Sequence, residues 1–439
     1  MRFGRERPGP EAVSFDYRPG ARRRPWREVG GVAIDERTPV RHLTSARLER
    51  RRVLLWPVVV LVLLGVSGLA LLGVATARVG FVPVIVGALL ALLPVGPVLA
   101  AFLWIDRWEP EPPKLLLAAF VWGACGATGC ALLINNTAEV VGESLLGTGG
   151  GDVVAAVISA PLVEEAAKAL FVVGVFLRRR VEFDGIVDGI VYSGVTAIGF
   201  AFTENINYFG LAFREGGFGD LTGGIVAVFV LRGILTPFAH PLFSAMVGIG
   251  VGIAAGSRKK WVRTTALLVG YVLAVLLHAV WNGAATLGGG ATFVDTYFVV
   301  MVPIFVATLV LVLWQRRREQ RTVVAQLPGF AEEGWIAPGE VTLLSSLPSR
   351  KAWRKAVRER AGAEAARAVR EYQHAVTELA FLRHRVAQGL PVPNAARRQA
   401  QAVGVLLGAR AEAVRDGLVR SAATRAAHAE RRRGTRPRR

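Results

Sequence analysis

The chain has 439 residues, of which 52% are hydrophobic, and it carries a formal net charge of +20. This combination argues against a single soluble globule, because so much apolar surface and so much excess charge must be segregated. Residues 1–52 are rich in Arg, residues 53–314 alternate long apolar runs with short polar breaks, and residues 315–439 are basic. The pattern predicts a polytopic membrane domain between two polar ends.

The first 52 residues combine Pro, Gly, Arg and acidic residues without sustained periodicity, which is typical of a disordered arm. Eight apolar runs follow, each long enough to cross a hydrocarbon core about 30 Å thick. We therefore expect an all-α fold, a transmembrane bundle of about eight helices. The predicted spans are 53–76, 81–104, 114–135, 153–177, 185–213, 223–255, 262–287 and 293–314.

The positions of Lys and Arg predict the orientation, because short cytoplasmic loops carry the positive excess. Basic residues at 50–52 precede the first run, and clusters at 178–180, 258–260 and 316–318 each follow an even-numbered run. The connections after the odd-numbered runs carry few positive charges. The pattern indicates a multi-pass protein of the cell membrane with its N- and C-termini in the cytoplasm.

The basic tail at 315–439 shows helical spacing over 350–388, a Gly and Pro break at 389–393, and Asn394 as a cap for a second helix. We interpret it as a solvated cytoplasmic helical hairpin. Binding of its Arg residues to anionic lipid headgroups is the alternative, since each basic residue near such a surface adds about 1 kcal/mol. The tail has no zinc, RRM or KH motif, which argues against nucleic-acid binding.

Three ionisable residues lie inside the fourth apolar run: Glu164, Glu165 and Lys168. A charged residue at the centre of a membrane helix costs about 3 kcal/mol on insertion scales, so such residues usually face the protein interior and have a function. Lys168 is within one helical turn of both glutamates, so it can neutralise one carboxylate and leave the other for chemistry. A buried ion pair that only fixes packing is the alternative, and two carboxylates for one cation argue against it.

The fifth and sixth runs add further polar groups. Glu204 and Asn205 place a carboxylate and an amide in the outer half of the fifth run. In the sixth run Pro237 and Pro241 lie on either side of His240, and we expect them to bend or open the helix and free backbone carbonyls around the imidazole. A satisfied interhelical hydrogen bond is the alternative role for this histidine. Arg232 either neutralises a carboxylate or reaches the outer headgroups.

The seventh run carries His278 and Asn282 four residues apart, on one helical face. The amide can orient the imidazole or polarise a substrate carbonyl, and a plain packing contact is the alternative. Counted from the ends of the runs at about 1.5 Å per residue, all these groups lie at middle to outer depth. The side chains of four runs can therefore converge.

At these positions the chain resembles the PrsW family of intramembrane proteases, over about residues 53–314. The resemblance rests on five segments in order: Asp106–Pro112, Glu164–Lys168, Gly199–Asn205, Arg232–His240, and His278 with Asn282. It implies hydrolysis of a peptide bond in a membrane-embedded substrate, and it suggests an anti-sigma factor or a similar regulator. The implied catalytic residues are Glu164, Glu165, Glu204, His240 and His278, supported by Lys168, Asn205, Arg232 and Asn282.

The residue types leave two mechanisms open. Glu164 or Glu165 can act as general base on a water, while His240 and His278 either hold a metal or stabilise the oxyanion. The two histidines and Glu164 permit a zinc site with an open position for water. However, the sequence has no His-Glu-x-x-His helix, so a glutamate mechanism without any cofactor is an equal alternative.

Two functions from other classes also use buried charges. An ion- or proton-coupled transporter needs intramembrane Glu, His and Lys. Against it, no inverted repeat is evident, and the ionisable residues cluster in runs four to seven instead of recurring in two halves. An inactive membrane sensor or scaffold is the third hypothesis.

Overall fold

The computed structural model describes the backbone of residues 43–179, 183, 185–390 and 392–414, with side chains from residue 59 onward. The chain divides into two compact units, Met1–Val58 and Val59–Arg439. Helix α1 (Leu43–Val79) begins in the first unit, and most of the predicted N-terminal arm lies outside the described residues. The second unit contains all the other described helices.

The described part of the chain is built from helices and contains no β-strand, which confirms the all-α prediction. The helices after α1 in the apolar part are α2 (Phe81–Ile105), α3 (Pro113–Val121), α4 (Thr128–Leu146), α5 (Gly150–Val153), α6 (Ala160–Arg178), α7 (Ile186–Gly216), α8 (Gly224–Phe229), α9 (Ala239–Ala255), α10 (Lys260–Leu287), α11 (Gly289–Thr296) and α12 (Val302–Glu332).

Seven helical stretches among the described residues are long and apolar enough to cross a membrane. They are Val59–Val79, Phe81–Ile105, Pro113–Leu146, Ile186–Gly216, Gly224–Ala255, Lys260–Leu287 and Gly289–Glu332. The predicted fourth span is the exception, because α6 carries Glu164, Glu165 and Lys168. The chain is nevertheless helical throughout 150–178, which corresponds to about 40 Å at about 1.5 Å per residue.

Four π-helical segments interrupt the α-helices: Trp122–Ala127, Val154–Ser159, Val230–Leu235 and Tyr297–Met301. Such turns occur often at functional sites. Carbonyl groups in two of them accept hydrogen bonds from neighbouring helices: Ala124 O from Thr203 Oγ1 and Ala156 O from Asn282 Nδ2, both at 2.8 Å. Because lipid offers no hydrogen bonds, these contacts satisfy backbone groups within the protein.

The sixth predicted span is broken at Pro237, the first of its two predicted bend positions, whereas Pro241 lies in the first turn of α9. The π segment ends at Leu235 and α9 begins at Ala239, and Thr236 between them has φ −123° and ψ 28°. Both the backbone N–H and the hydroxyl of Thr236 donate to Leu231 O at 2.9 Å. His240 therefore lies in the first turn of a new helix.

Helix α7 is the central helix of the apolar part and packs against α2, α3 and α9. Glycines allow α7 and α9 to approach closely. A Cβ on Gly189 would lie 2.0 Å from the Gly248 carbonyl oxygen, and a Cβ on Gly248 would lie 2.3 Å from the oxygen of Gly189. Since α7 carries Glu204 and α9 carries His240, this crossing helps to set the distance between the two side chains.

A second hydrophobic core lies among the end of α12, α13 (Glu340–Leu344), α14 (Leu347–Ala387) and α15 (Ala395–Val414). Trp353 and Tyr372 are fully buried in it, and Trp108, from the loop between α2 and α3, is buried there with 4% of its surface exposed. The guanidinium of buried Arg350 lies 4.8 Å from the centre of the Trp108 ring. The loop is therefore anchored in the C-terminal core, while residues 415–439 of the predicted tail lie outside the described residues.

We expect Gly189→Ala to destabilise the protein, because the new methyl group would collide with backbone that cannot rotate away. Overpacking of this kind typically costs about 1–3 kcal/mol. Gly174→Ala in α6 is the matched control, since a Cβ there has no atom within 4 Å. Thermal unfolding of both variants in detergent should show a lowered Tm for Gly189→Ala only. Equal Tm values would contradict the close crossing of α7 and α9.

Candidate active site

Side chains from four helices meet in one buried cluster. The cluster contains Glu164, Glu165 and Lys168 from α6, Glu204 from α7, His240 from α9 and His278 from α10. These residues lie on different predicted spans, so their proximity is a result of the tertiary fold.

Glu165 is fully buried and accepts hydrogen bonds from three side chains. Lys168 Nζ lies 2.6 Å from Oε1 and His278 Nδ1 lies 3.0 Å from the same oxygen, while Ser244 Oγ donates to Oε2 at 2.8 Å. Both carboxylate oxygens are thus occupied. The bond to Nδ1 also fixes the orientation of the His278 ring and points its Nε2 toward Glu164, 3.8 Å away.

Lys168 contacts several members of the cluster at once. In addition to Glu165, its ammonium lies 4.0 Å from Glu164 Oε2 and 3.3 Å from His240 Nδ1. The ammonium also lies 4.4 Å from the centre of the Phe200 ring. Only 1% of the Lys168 surface is exposed, so these partners must offset the cost of removing its charge from water.

Glu204 is held by a separate group of partners. Arg232 forms an ion pair with its Oε2, and His240 Nε2 lies 2.8 Å from the same oxygen. Arg232 also donates to Asn205 Oδ1 at 2.7 Å and stacks over the Tyr208 ring at 3.8 Å. The Glu204 side chain is 23% exposed, so it is more accessible than the other two carboxylates.

Glu164 is the carboxylate with the least complete set of partners. Asn135 Nδ2 donates to its Oε1 at 3.3 Å, and Ser159 Oγ in turn donates to Asn135 Oδ1 at 2.7 Å. Its Oε2 is buried, and no hydrogen bond reaches that oxygen within the described part of the chain. A buried carboxylate oxygen without a donor is costly, so this atom faces the position where a cation would be stabilised.

The charge balance of the cluster also favours a further cation. Three carboxylates, Glu164, Glu165 and Glu204, face two fixed cations, Lys168 and Arg232. Two neutral imidazoles do not change this balance. A divalent metal ion would reverse the excess of negative charge and give the carboxylate oxygen of Glu164 a partner.

Glu164, His240 and His278 together can supply three metal ligands, one atom each, all within 4.8 Å of one another. Two ligands of one tetrahedral zinc lie about 3.4 Å apart, given bonds of about 2.1 Å. The side chains would therefore contract by about 1 Å around an ion. Two nitrogens and one oxygen form a donor set that suits zinc and leaves one position for water.

The partners of the two histidines differ. His278 uses Nδ1 for Glu165 and leaves Nε2 for an ion, which is the usual arrangement of a metal-binding histidine. Both nitrogens of His240 have neighbours, Glu204 at Nε2 and Lys168 at Nδ1. A metal ion would take one of these nitrogens from its present partner. The donor set therefore fits a metal, with one rearrangement at His240.

Asn282 does not have the expected contact with His278. Its amide donates to Ala156 O in a π segment, and Glu165 orients the imidazole instead. The reason is geometric: a π turn leaves a carbonyl group available beside α10, and the amide satisfies it.

Sequence reasoning missed three polar residues of the site. Asn135 and Ser159 contact Glu164 directly or through one another, and Ser244 contacts Glu165. The sequence position of each residue could have identified it. Asn135 lies in the third apolar run, Ser159 is five residues before Glu164, and Ser244 is one helical turn after His240.

Comparison with known proteins agrees with this geometry. The model of a family described as PrsW family intramembrane metalloprotease matches residues 111–308. Protease PrsW of Geobacillus kaustophilus is 31% identical over 184 residues, which cover 42% of this chain and 72% of the relative. Protease PrsW of Clostridioides difficile is 28% identical over 201 residues, covering 44% and 77%.

A further relative, Protease PrsW of Bacillus subtilis, is 28% identical over 184 residues, which cover 42% of this chain and 75% of the relative. No solved structure matches the chain. The matched region contains every helix that contributes to the buried cluster. The chain belongs to the PrsW family and is an intramembrane protease, a multi-pass membrane protein that acts on membrane-tethered substrates.

Proposed function

We propose that this protease is a zinc enzyme in which Glu164, His240 and His278 hold the metal. The observation that carries the proposal is the Oε2 atom of Glu164, buried without a hydrogen-bond donor and facing His278 Nε2 at 3.8 Å. The description of the matching family as metalloproteases supports it. When bound, zinc lowers the pKa of its water to about 7 and polarises the substrate carbonyl.

Glu165 acts as a positioning residue in this proposal. Its two oxygens accept hydrogen bonds from Lys168, His278 and Ser244, so neither is available to take a proton from water. By accepting from Nδ1 it keeps His278 in the tautomer whose Nε2 has a free lone pair. The same carboxylate neutralises Lys168.

Glu204 is the general base in this proposal. Its Oε2 is held by Arg232 and His240, whereas no hydrogen bond within the described residues reaches its Oε1. The side chain is partly exposed, so a water can approach it. Arg232 contacts both Glu204 and Asn205 and so holds the Glu204 carboxylate in place.

A glutamate mechanism without metal is the second candidate. It is supported by the two neighbours of His240, which leave neither ring nitrogen free of contacts. In that mechanism Glu164, whose Oε2 receives no hydrogen bond from the described residues, would accept the proton of the attacking water. The transporter and scaffold hypotheses are not favoured, because the relatives are proteases.

We further propose how the chain is placed in the cell. Residues 53–314 form the protease domain, between a basic arm at 1–52 and a basic tail at 315–439. Basic clusters after the even-numbered spans favour a cell-membrane protein with both termini in the cytoplasm. The tail could then contact anionic lipid headgroups, and the substrate class would be membrane-tethered regulators such as anti-sigma factors.

Glu164→Gln should abolish cleavage, because an amide cannot replace the carboxylate as ligand or as base. The substrate can be found as a membrane protein that accumulates at full length in cells with the variant, and its cleavage then followed by immunoblot. We expect a loss of about 100-fold or more. Glu139→Gln, an exposed glutamate of α4, is the control and should keep wild-type cleavage. Unchanged cleavage with Glu164→Gln would refute both mechanisms.

Asn135→Ala should lower the cleavage rate by about 10–100-fold, the usual effect of removing a partner of a metal ligand. The change removes the donor to Glu164 Oε1 and leaves Ser159 without its acceptor. Asn136→Ala is the matched control, since among the described residues the hydrogen bonds to the cluster come from Asn135 and not from this neighbouring amide. A reduced zinc affinity of Asn135→Ala, together with an unchanged Tm, would separate positioning from a fold defect. Equal cleavage rates for the two variants would show that Asn135 does not position Glu164.

A further inference from the structure

Two apolar cavities lie beside the catalytic cluster, between α9 and α12. One has a volume of about 90 Å³ and the other about 150 Å³. They share Phe238, Leu242 and Phe305 as lining residues. The rings of Phe238 and Phe305 are 5.4 Å apart at their centres, so this contact forms the wall between the two cavities.

The smaller cavity adjoins the residues that carry the site. Ala239 and Leu242 line it and flank His240 along α9. Trp281 lines it from α10, and its ring lies 6.4 Å from Phe243, which stacks on His278 at 5.0 Å. On this side, the rings of Trp281 and Phe243 lie between the cavity and the proposed metal ligand His278.

The same cavity reaches the apolar outer surface of the bundle. Leu235 lines it and is 52% exposed. The last span contacts the broken helix at this cavity. The rings of Phe305 and Phe238 pack together, and Tyr297 Oη donates a hydrogen bond to Leu235 O at 2.9 Å. A membrane segment of a substrate that moves laterally in the bilayer can approach the cluster from the surface at Leu235.

We propose that these cavities bind bulky apolar side chains of the substrate's membrane segment next to the scissile peptide bond. This rests on the proposed function, and it assigns the substrate's approach to the gap between α9 and α12. An extended chain advances about 3.3 Å per residue, so a side chain one to three residues from the cleaved bond reaches the smaller cavity. An apolar cavity of about 150 Å³ takes up a benzene-sized group, which suits a Phe or Leu side chain.

The test places p-benzoylphenylalanine at Phe305 of the full chain, in the Glu164→Gln background, reconstituted in phosphatidylcholine vesicles. The probe is a synthetic single-span peptide of Leu and Ala with Lys at both ends, about 24 residues long, with Phe or Ala at its centre. Light should cross-link the peptide with central Phe several-fold more than the peptide with central Ala. Mass spectrometry identifies the adduct as peptide or phospholipid.

Two matched variants locate the binding. Val302→Trp fills the smaller cavity and should reduce the peptide adduct several-fold. Val299→Trp is three residues away, 72% exposed and outside both linings, and should leave the adduct unchanged. An adduct with phospholipid alone, equal yields from the two peptides, or equal yields from the two Trp variants would overturn the proposal.

The experiment does not depend on catalysis. If the chain hydrolyses peptides by other residues, Glu164→Gln keeps its cleavage activity while the cross-link still responds to Val302→Trp. If the cavity is not the substrate site, Glu164→Gln still abolishes cleavage, but Val302→Trp leaves the cross-link yield unchanged. The two failures are thus distinguishable.

Discussion

The placement of three carboxylates among apolar helices, two of them buried and Glu204 partly exposed, is the constraint on which the rest of the structure depends. Removing an ion from water costs several kcal/mol even after relaxation, so each charge needs partners that other helices supply. Glu165 obtains them from Lys168, His278 and Ser244, and Glu204 from Arg232 and His240. The helices that carry these residues are thereby held in one arrangement. Glu164 is the member whose hydrogen bonds remain incomplete among the described residues, and the proposed metal site is based on that deficit.

The low-polarity surroundings also constrain the backbone. Where a helix is interrupted, its carbonyl groups require donors, and side chains of adjacent helices provide them. Thr203 and Asn282 do so for two π segments, and Thr236 does so within the break before α9. Two of these interruptions come just before α6 and α9, the helices that present Glu164 and His240. A continuous helix through 224–255 would place His240 differently relative to Glu204.

Much of this architecture could be predicted from the sequence. Membrane spans need long apolar runs, and charges within them are costly, so both features are visible in the sequence. Glu164, Glu165, Lys168, His240 and His278 were identifiable from the cost of burying them. Pro237 correctly indicated the break before His240. The fourth predicted span is absent from the seven helical stretches that are apolar enough to cross a membrane, because it carries the charges of Glu164, Glu165 and Lys168.

Other features were not accessible from the sequence, because they depend on tertiary contacts. Neutral polar residues such as Asn135 and Ser244 are inexpensive to bury when paired, so composition alone did not single them out. Asn282 was expected to orient His278 or to polarise a substrate carbonyl, whereas its amide donates to Ala156 O in a π turn of another helix, a contact that the sequence does not indicate. Trp108 belongs to a loop motif, yet its ring packs among helices more than 200 residues away in sequence.

A family of metalloproteases and a buried donor set of one carboxylate and two imidazoles lead to the same central claim, a metal held by Glu164, His240 and His278. The most direct measurement is the metal content of the purified full chain by mass spectrometry. The account predicts one zinc per chain in the wild type, loss of zinc in His278→Ala at unchanged helix content, and retention in His374→Ala, a histidine of α14 outside the site. A zinc-free wild-type protein that cleaves its substrate fully in the presence of a chelator would contradict it.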